Sequence, residues 1–514
     1  MTDRLDAVAL ALPRIYPGPG GAIAVLRHGE VLLRHTWGWS NAERRIPFTP
    51  GSLFRMCSVT KQFTCAALLD AFPDPSVLDA EVARRLPNLT QAPPRTVELC
   101  HNQSGLRDYW AVAMLHGSPV EAPFGDLEAG RVISGTRTLQ FEPGTRASYC
   151  NQNFRLLSDM LQERLGRSFG EVLRARVFAP AGMDSAMLAA DTRSMPDGSE
   201  GYEGSQASGF RAAENRIVWT GDAGIGASLD DMIAWERHID ATRDDPNSLH
   251  GRISGPAAFR DGSEAAYGFG LGRYRAHGRA ATGHGGALRG WKSCRLYLPQ
   301  ERVSVVVLFN HMAEARSAAM ELLEAVLGER RVEMAEPADA GWTGAYLEPE
   351  TGLLARVEVQ DRCHVRLRFG QNAEVLAMQP DGSATNGNAV LRQTAEGLVM
   401  ERRDERLQGL LQPRGGEAAA DIAGRYRSAE LDAELQIERA GGVMYGAFAG
   451  FLGAGRMEML EPIASDLWTL PCPRALDHTP PHDWTLDVRR DGSGHPDSIR
   501  VGCWLARGLV YERV

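Results

Sequence analysis

The sequence predicts a multidomain chain: a mixed α+β domain with an antiparallel sheet over residues 1–332, then two small antiparallel β domains over 341–413 and 420–514. Three observations predict it. The 514 residues are 43% apolar and 24% charged, an ordinary globular composition, and at roughly 150 residues per domain they imply about three domains. A charged, proline-containing stretch at 328–340 (GERRVEMAEPADA) separates mixed helix and strand signals from short alternating segments rich in Gly turns. Beyond it the chain echoes itself. Thr343-Gly344-Ala345-Tyr346 opens one part and Ala423-Gly424-Arg425-Tyr426 opens the next, 80 residues later.

The first part begins with apolar runs at 21–27 and 31–37 around His28-Gly29-Glu30, which read as a hairpin. Residues 58–70 (SVTKQFTCAALLD) carry apolar positions at helical spacing. Helices are predicted at 153–164 and at 228–239, the latter opened by a Ser-x-x-Asp cap. Strands at 293–298 and 303–309 flank Pro299-Gln300-Glu301-Arg302, and a helix comes next at 313–327. Hairpins at both ends suit an antiparallel sheet; a doubly wound β-α-β fold does not fit. Later segments such as 353–359, 363–369, 433–439 and 484–490 alternate as strands, with a second break near 412–420. A repeat of this length fits two sibling β barrels or small sandwiches.

The net charge is −9 and no basic tract appears, which argues against nucleic acid or anionic membrane as a partner. The eight cysteines are scattered and never form C-x-x-C, as expected of reduced thiols in a cytoplasmic protein. The N-terminus has the pattern of neither a signal peptide nor a membrane span. No zinc-peptidase motif or Walker A loop is present, so neither a metal nor a cofactor is expected.

Of 56 basic residues only Lys61 and Lys292 are lysine. An amine can lose its proton near neutrality; a guanidinium cannot. Lys61 stands three residues after Ser58, and positions i and i+3 share a helix face. One turn therefore supplies a nucleophile and a base, with the helix N-terminus favouring a developing alkoxide. Ser-x-x-Lys also arises by chance in many long proteins, so its weight depends on the residues downstream. Tyr149-Cys150-Asn151 offers a phenol to relay a proton and an amide to orient Lys61 or bind a carbonyl. Such a pair is more often a packing element. His284-Gly285-Gly286 precedes a strand, where glycine lets a substrate approach closely. The amides of Ala287 and Ser58 then suit an oxyanion hole. A lone His is more often structural.

Together these motifs resemble the penicillin-recognising serine enzymes, the group of DD-carboxypeptidases, class C β-lactamases and related esterases. Ser58-x-x-Lys61, Tyr149-x-Asn151 and His284-x-Gly286 stand in that group's order, and His101-Asn102-Gln103-Ser104-Gly105-Leu106 looks like its His-Thr-Ser-Gly-Leu segment. The resemblance is closer, over the whole chain, to the D-aminopeptidase family, through CSVTKQFTCA, NQSGLRDYWA, ASYCNQNFR, GDAGIGASLDDMIAWE, TGHGGALRGW, YGAFAGFLG and VGCWLARG. It implies a β-lactamase/DD-peptidase-like catalytic domain followed by two eight-stranded antiparallel β-barrels.

The resemblance also implies removal of an N-terminal D-residue from peptides, amides and esters through an acyl-enzyme, with inhibition by some β-lactams and a homodimer. Ser58 is then the nucleophile, Lys61 its base and Tyr149 a proton-transfer partner. His284 replaces a lysine that would repel a substrate ammonium. A loop at 471–482 of the last domain would reach the active site, with Asp477 binding that ammonium and Asn151 also contacting substrate. Residues 272–276 (GRYRA) depart from the family's pattern, so substrate range is expected to shift at that rim. Other activities on this scaffold are DD-peptidase, esterase or weak β-lactamase; a non-catalytic β-lactam or peptide sensor is the alternative outside enzymes.

Overall fold

The computed structural model describes residues 2–119, 121–328, 340–370, 373–471 and 483–514. An eight-stranded antiparallel sheet organises the first domain. Its main strands are β1 (Gly20–Arg27), β2 (Glu30–Asn41), β3 (Leu271–Ala276), β4 (Arg279–Leu288), β5 (Trp291–Leu298) and β6 (Val303–Phe309), in the order β2-β1-β6-β5-β4-β3. Short strands Ile46–Pro47 and Tyr267–Gly268 complete its edges. The β1–β2 hairpin turns where the sequence predicts: His28 and Gly29 take φ of 54° and 77°, the left-handed pair that a tight hairpin requires. The β5–β6 hairpin forms as predicted, and β6 pairs with β1, Ile23 facing Val307.

β1 and β6 are apolar on both faces because both faces are covered. Ile23, Val25, Val303, Val305 and Val307 pack in one core with helices α1 (Thr2–Ile15) and α6 (Ala315–Leu327). Ala22, Ala24, Leu26, Val306 and Leu308 belong to the core on the other face. That core holds α2 (Thr60–Ala71), α4 (Asn151–Leu165) and α5 (Leu229–Ala241). Ser228 caps α5, its Oγ accepting from the Asp231 amide at 3.1 Å. α2 differs from the prediction in one respect. It begins at Thr60, after a single 3-10 turn at Cys57–Val59, and every residue from Thr60 to Leu69 is buried. A helix buried all round runs through a core rather than over it.

A buried ion pair ties α5 to the sheet. Arg295 on β5 grips Glu236 on α5 through two bonds of 2.7 Å, and Ser304 on β6 donates to the same carboxylate at 2.7 Å. Arg295 also reaches Gln62 on α2 at 3.5 Å. Removing one member of such a group leaves a buried charge unpaired, which costs about 3–5 kcal/mol.

The strands of the two later domains form two closed rings. In the middle domain nine segments pair in sequence from Gly344–Glu348 onward. Leu407–Leu410 and Gln412–Arg414 are halves of one strand bent at Leu411, and the second half pairs with the first strand, Ala345 facing Arg414. Eight antiparallel strands therefore close a barrel, which leaves no open edge. In the last domain Glu458–Met459 and Glu461–Ala464 are likewise one strand bent at Leu460, and Tyr426 on the first strand faces Arg513 on the last. The repeated Tyr explains the sequence echo. The Tyr346 hydroxyl donates to the Trp342 carbonyl at 3.0 Å and the Tyr426 hydroxyl to the Ile422 carbonyl at 2.8 Å. Each tyrosine ties its own barrel's first strand to the short 3-10 turn before it.

The last barrel docks on the first domain beside helix α3 (Tyr109–Leu115). The Asp108 amide donates to the Leu505 carbonyl at 2.9 Å. Arg107 donates to the Arg507 carbonyl at 2.9 Å and pairs with Glu430 at 2.8 Å. The middle barrel touches the first domain through Arg406, which pairs with Asp261 at 2.9 Å and lies over the Phe259 ring. Among the described residues no helix is long and apolar enough to cross a membrane, and no disulfide is formed.

Candidate active site

The site is built on the turn that enters α2. Cys57 takes a positive φ of 52°, an uncommon backbone for a side chain of this kind. It turns the chain sharply at the head of the helix, where Ser58 projects half-exposed. Lys61, one turn on, is fully buried. Its Nζ stands 3.0 Å from Ser58 Oγ, 2.8 Å from Asn151 Oδ1 and 2.7 Å from the Asp222 carbonyl. The last two groups can only accept. They therefore claim two amine protons, and the third tetrahedral position faces Ser58. In the neutral amine that position is the lone pair, aimed at the serine hydroxyl. The Asp222 carboxylate is turned away, accepting from the Tyr109 hydroxyl at 2.5 Å and the Thr220 amide at 3.1 Å.

Tyr149 and Asn151 come from the turn that starts α4. The Tyr149 hydroxyl donates to Ser58 Oγ at 2.6 Å, and Lys61 Nζ lies 4.9 Å from the centre of the Tyr149 ring. Two buried side chains hold this turn. Asn102 Oδ1 accepts from the Cys150 amide and from Asn153 Nδ2, both at 3.2 Å. Asp108 Oδ2 accepts from the Asn151 amide at 2.5 Å and Oδ1 from the Trp110 amide at 3.0 Å, so one carboxylate caps α3 and α4 together. Trp504 from the last barrel stacks on the Tyr149 ring, centroids 6.1 Å apart.

His284 lies on β4, opposite Arg295 on β5. Its Nδ1 faces the Gly285 carbonyl, which places the ring proton there, so Nε2 accepts from the Tyr267 hydroxyl at 3.0 Å. Its ring centre is 6.3 Å from that of Tyr149. Two residues on, Gly286 presses against the turn that carries Ser58. A Cβ there would come within 2.4 Å of the Met56 carbonyl oxygen and 3.0 Å of the Cys57 Cβ. Glycine is thus required for β4 to lie beside Ser58, and the strand runs on to Ala287.

Burial, reinforced by the Lys61 charge, pushes the His284 imidazole down to about 3. It is neutral across the working range and presents no cation to a substrate. Burial also lowers His101, His116 and His311 to about 4. These groups make the fold acid-sensitive. In the unfolded chain each imidazole binds a proton below about pH 6.5, while the folded protein does not until about 4 or 3. Stability therefore falls as pH drops through that window. Asp108 and Asp404, raised to about 6 by burial, act in the opposite sense but are outnumbered. Circular-dichroism melts are expected to give a lower Tm at pH 5.0 than at pH 7.5; an unchanged or higher Tm at pH 5.0 would show that these histidines are not held neutral.

Ser58, Lys61, Tyr149, Asn151 and His284 thus converge although 226 positions separate the first from the last. Asp477, and the 471–482 loop beyond Pro471, lie outside the described residues, as does most of the 328–340 stretch. The roles of Asn102, Asp108, Asp222, Tyr267 and Trp504 were not read from the sequence. All but Tyr267 stand inside segments that carry the family resemblance, but nothing local says what they touch. Residues Gly272, Arg273 and Tyr274, where the sequence departs from the family, line a cavity of about 330 Å³ that also borders Tyr149 and His284.

Comparison with known proteins identifies the family. Residues 7–328 match the Beta-lactamase family model, and residues 335–512 match that for D-aminopeptidase, domain B. A D-aminopeptidase of Gluconobacter oxydans is 58% identical over 520 aligned positions, covering 99% of both chains. One of Brucella canis is 44% identical, covering 99% of this chain and 98% of its own. Among solved structures, the octameric penicillin-binding protein homologue of Pyrococcus abyssi superposes with a TM-score of 0.53 at 21% identity, over 79% of this chain and 99% of its own. The D-amino acid amidase of Ochrobactrum anthropi SV3, complexed with L-phenylalanine amide, gives 0.52 at 20% identity, over 64% and 99%. At such identities the structures speak for the fold alone, whereas the two sequence relatives span the whole length: the chain belongs to the D-aminopeptidase family, built on a β-lactamase-type catalytic domain.

Proposed function

We propose that the protein is a D-stereospecific aminopeptidase, a serine hydrolase that releases N-terminal D-residues such as D-Ala from peptides, amides and esters. The observation that carries the reading is the Lys61 amine 3.0 Å from a serine hydroxyl that Tyr149 also contacts at 2.6 Å. Neutral Lys61 takes the Ser58 proton as Oγ attacks the carbonyl carbon. The amides of Ser58 and Ala287 receive the negative charge that develops on the carbonyl oxygen. The proton then passes through Tyr149 to the leaving nitrogen, the C–N bond breaks, and an ester to Ser58 remains. Water hydrolyses the ester by the same steps in reverse order.

Asn151 holds Lys61 and meets the substrate carbonyl. Neutral His284 leaves room for a substrate ammonium, which Asp477 would balance. Asp477→Asn is expected to depress turnover of D-alanine p-nitroanilide much more than that of its N-acetylated ester counterpart; equal effects would remove the ammonium role. Reduced cysteines support a cytoplasmic setting. A homodimer and inhibition by some β-lactams belong to the same reading, and sedimentation velocity and penicillin titration test them.

The decisive measurement is hydrolysis of D-Ala against L-Ala p-nitroanilide by the purified protein. Rapid release from the D-substrate with little from the L-isomer is expected. Equal rates, or stable acylation without turnover, would overturn the assignment.

A further inference from the structure

The cavity beside Tyr149 and His284 lies between the first and middle domains. Chemistry says which part of a substrate it receives. Tyr149 hands its proton to the leaving nitrogen and borders the cavity, so the group on that nitrogen extends into it while the acyl part stays on Ser58. The first domain lines it with β3 and Arg316 of α6; the middle barrel lines it with Glu374, Arg402, Asp404 and Glu405.

Most charged groups there already have hydrogen-bond partners. Arg402 pairs with Glu374 and, at 2.9 Å, with Glu405. Arg273 donates to the Ile253 and Gly255 carbonyls. Two charged side chains have no such partner among the described residues. The Arg316 guanidinium lies 4.5 Å from the centre of the Tyr274 ring and joins no carboxylate among the described residues. It sits in the first turn of α6, where the helix dipole disfavours a cation. The Asp404 residue is anchored by its amide, which donates to Asn388 Oδ1 at 2.9 Å, and its carboxylate has no bonded partner among the described residues. These opposite charges come from different domains to one cavity and are not joined to each other.

We propose that this cavity is the leaving-residue subsite, in which Arg316 pairs with a free carboxylate and Asp404 with a basic side chain, so that short peptides with a D-residue followed by a carboxy-terminal basic residue are the preferred substrates. The inference rests on the aminopeptidase reading. A simple D-amino acid amide, which releases only ammonia, engages neither charge.

The test is steady-state kcat/KM for D-Ala-Lys, its carboxamide D-Ala-Lys-NH2, and D-Ala-norleucine, with wild type, Arg316→Gln and Asp404→Asn. Wild type is expected to prefer D-Ala-Lys over both others. Arg316→Gln should cut the preference for the free carboxylate by about tenfold, with partial recovery in Arg316→Lys. Asp404→Asn should cut the preference for lysine over norleucine similarly. Each readout is a ratio within one variant, so partial misfolding does not mimic it. Ratios that are the same in wild type and variants overturn the subsite. If wild type hydrolyses no D-Ala substrate, D-alanine amide included, the aminopeptidase reading itself fails, a separate result.

Discussion

Lys61→Arg is expected to lower kcat/KM for D-alanine p-nitroanilide by about 10³-fold or more, close to the loss in Ser58→Ala. The reason is protonation rather than charge. Arg stays cationic at every working pH, so no lone pair ever faces Ser58 Oγ. The Asn151 Oδ1 and Asp222 carbonyl that hold the lysine amine at 2.8 and 2.7 Å would hold a guanidinium just as readily. An inert enzyme with an occupied site is the expected product. Intact-mass spectrometry after rapid quenching should detect a D-alanyl ester in wild type and none in Lys61→Arg. Since the position is fully buried, melting curves must accompany the kinetics. A folded Lys61→Arg variant retaining a tenth of the activity would exclude Lys61 as the base. The wild-type kcat/KM profile should correspondingly rise on an alkaline limb, as the amine loses its proton.

Tyr149→Phe is expected to cost about 10²-fold or more with amide substrates and much less with an activated ester. Its hydroxyl, 2.6 Å from Ser58 Oγ, is the group placed to protonate a departing amine. An alkoxide with a low conjugate-acid pKa leaves without that help. The comparison is kcat/KM for D-alanine amide and a D-alanine aryl ester in both proteins. Equal losses would mean that Tyr149 acts in nucleophile activation instead. The ring itself is retained in this variant, so its stacking on Trp504 is kept and the readout isolates the hydroxyl.

Much of the architecture was legible because it depends on short-range chemistry. The β1–β2 hairpin comes from two residues able to take positive φ between apolar runs. The boundary before the barrels shows as a change in periodicity, and the barrel kinship as a tyrosine that reaches back four residues to a carbonyl in each domain. What was illegible is long-range. Asn102 braces the Tyr149 turn through its side-chain oxygen, and Asp108 caps two helices with one carboxylate. Both are ordinary residues at ordinary spacing until the helices pack. Trp504 reaches Tyr149 only because the last barrel docks where it does.

The sequence by itself brings together the pair proposed to react. Ser58 and Lys61 are one helical turn apart, and backbone geometry alone brings i and i+3 side chains together. The class of chemistry was legible through three motifs standing in order, Ser58-x-x-Lys61, Tyr149-x-Asn151 and His284-x-Gly286, with one of only two lysines of the chain in the first. The tertiary structure alone decided which groups hold the lysine amine, which hydroxyl meets the serine, and that a neutral histidine borders the cavity beside Tyr149. Those contacts join residues tens to hundreds of positions apart, and close packing sets such distances, not any local rule. The same holds for the cavity facing Arg316 and Asp404: its charges belong to two domains, and only their docking makes them neighbours.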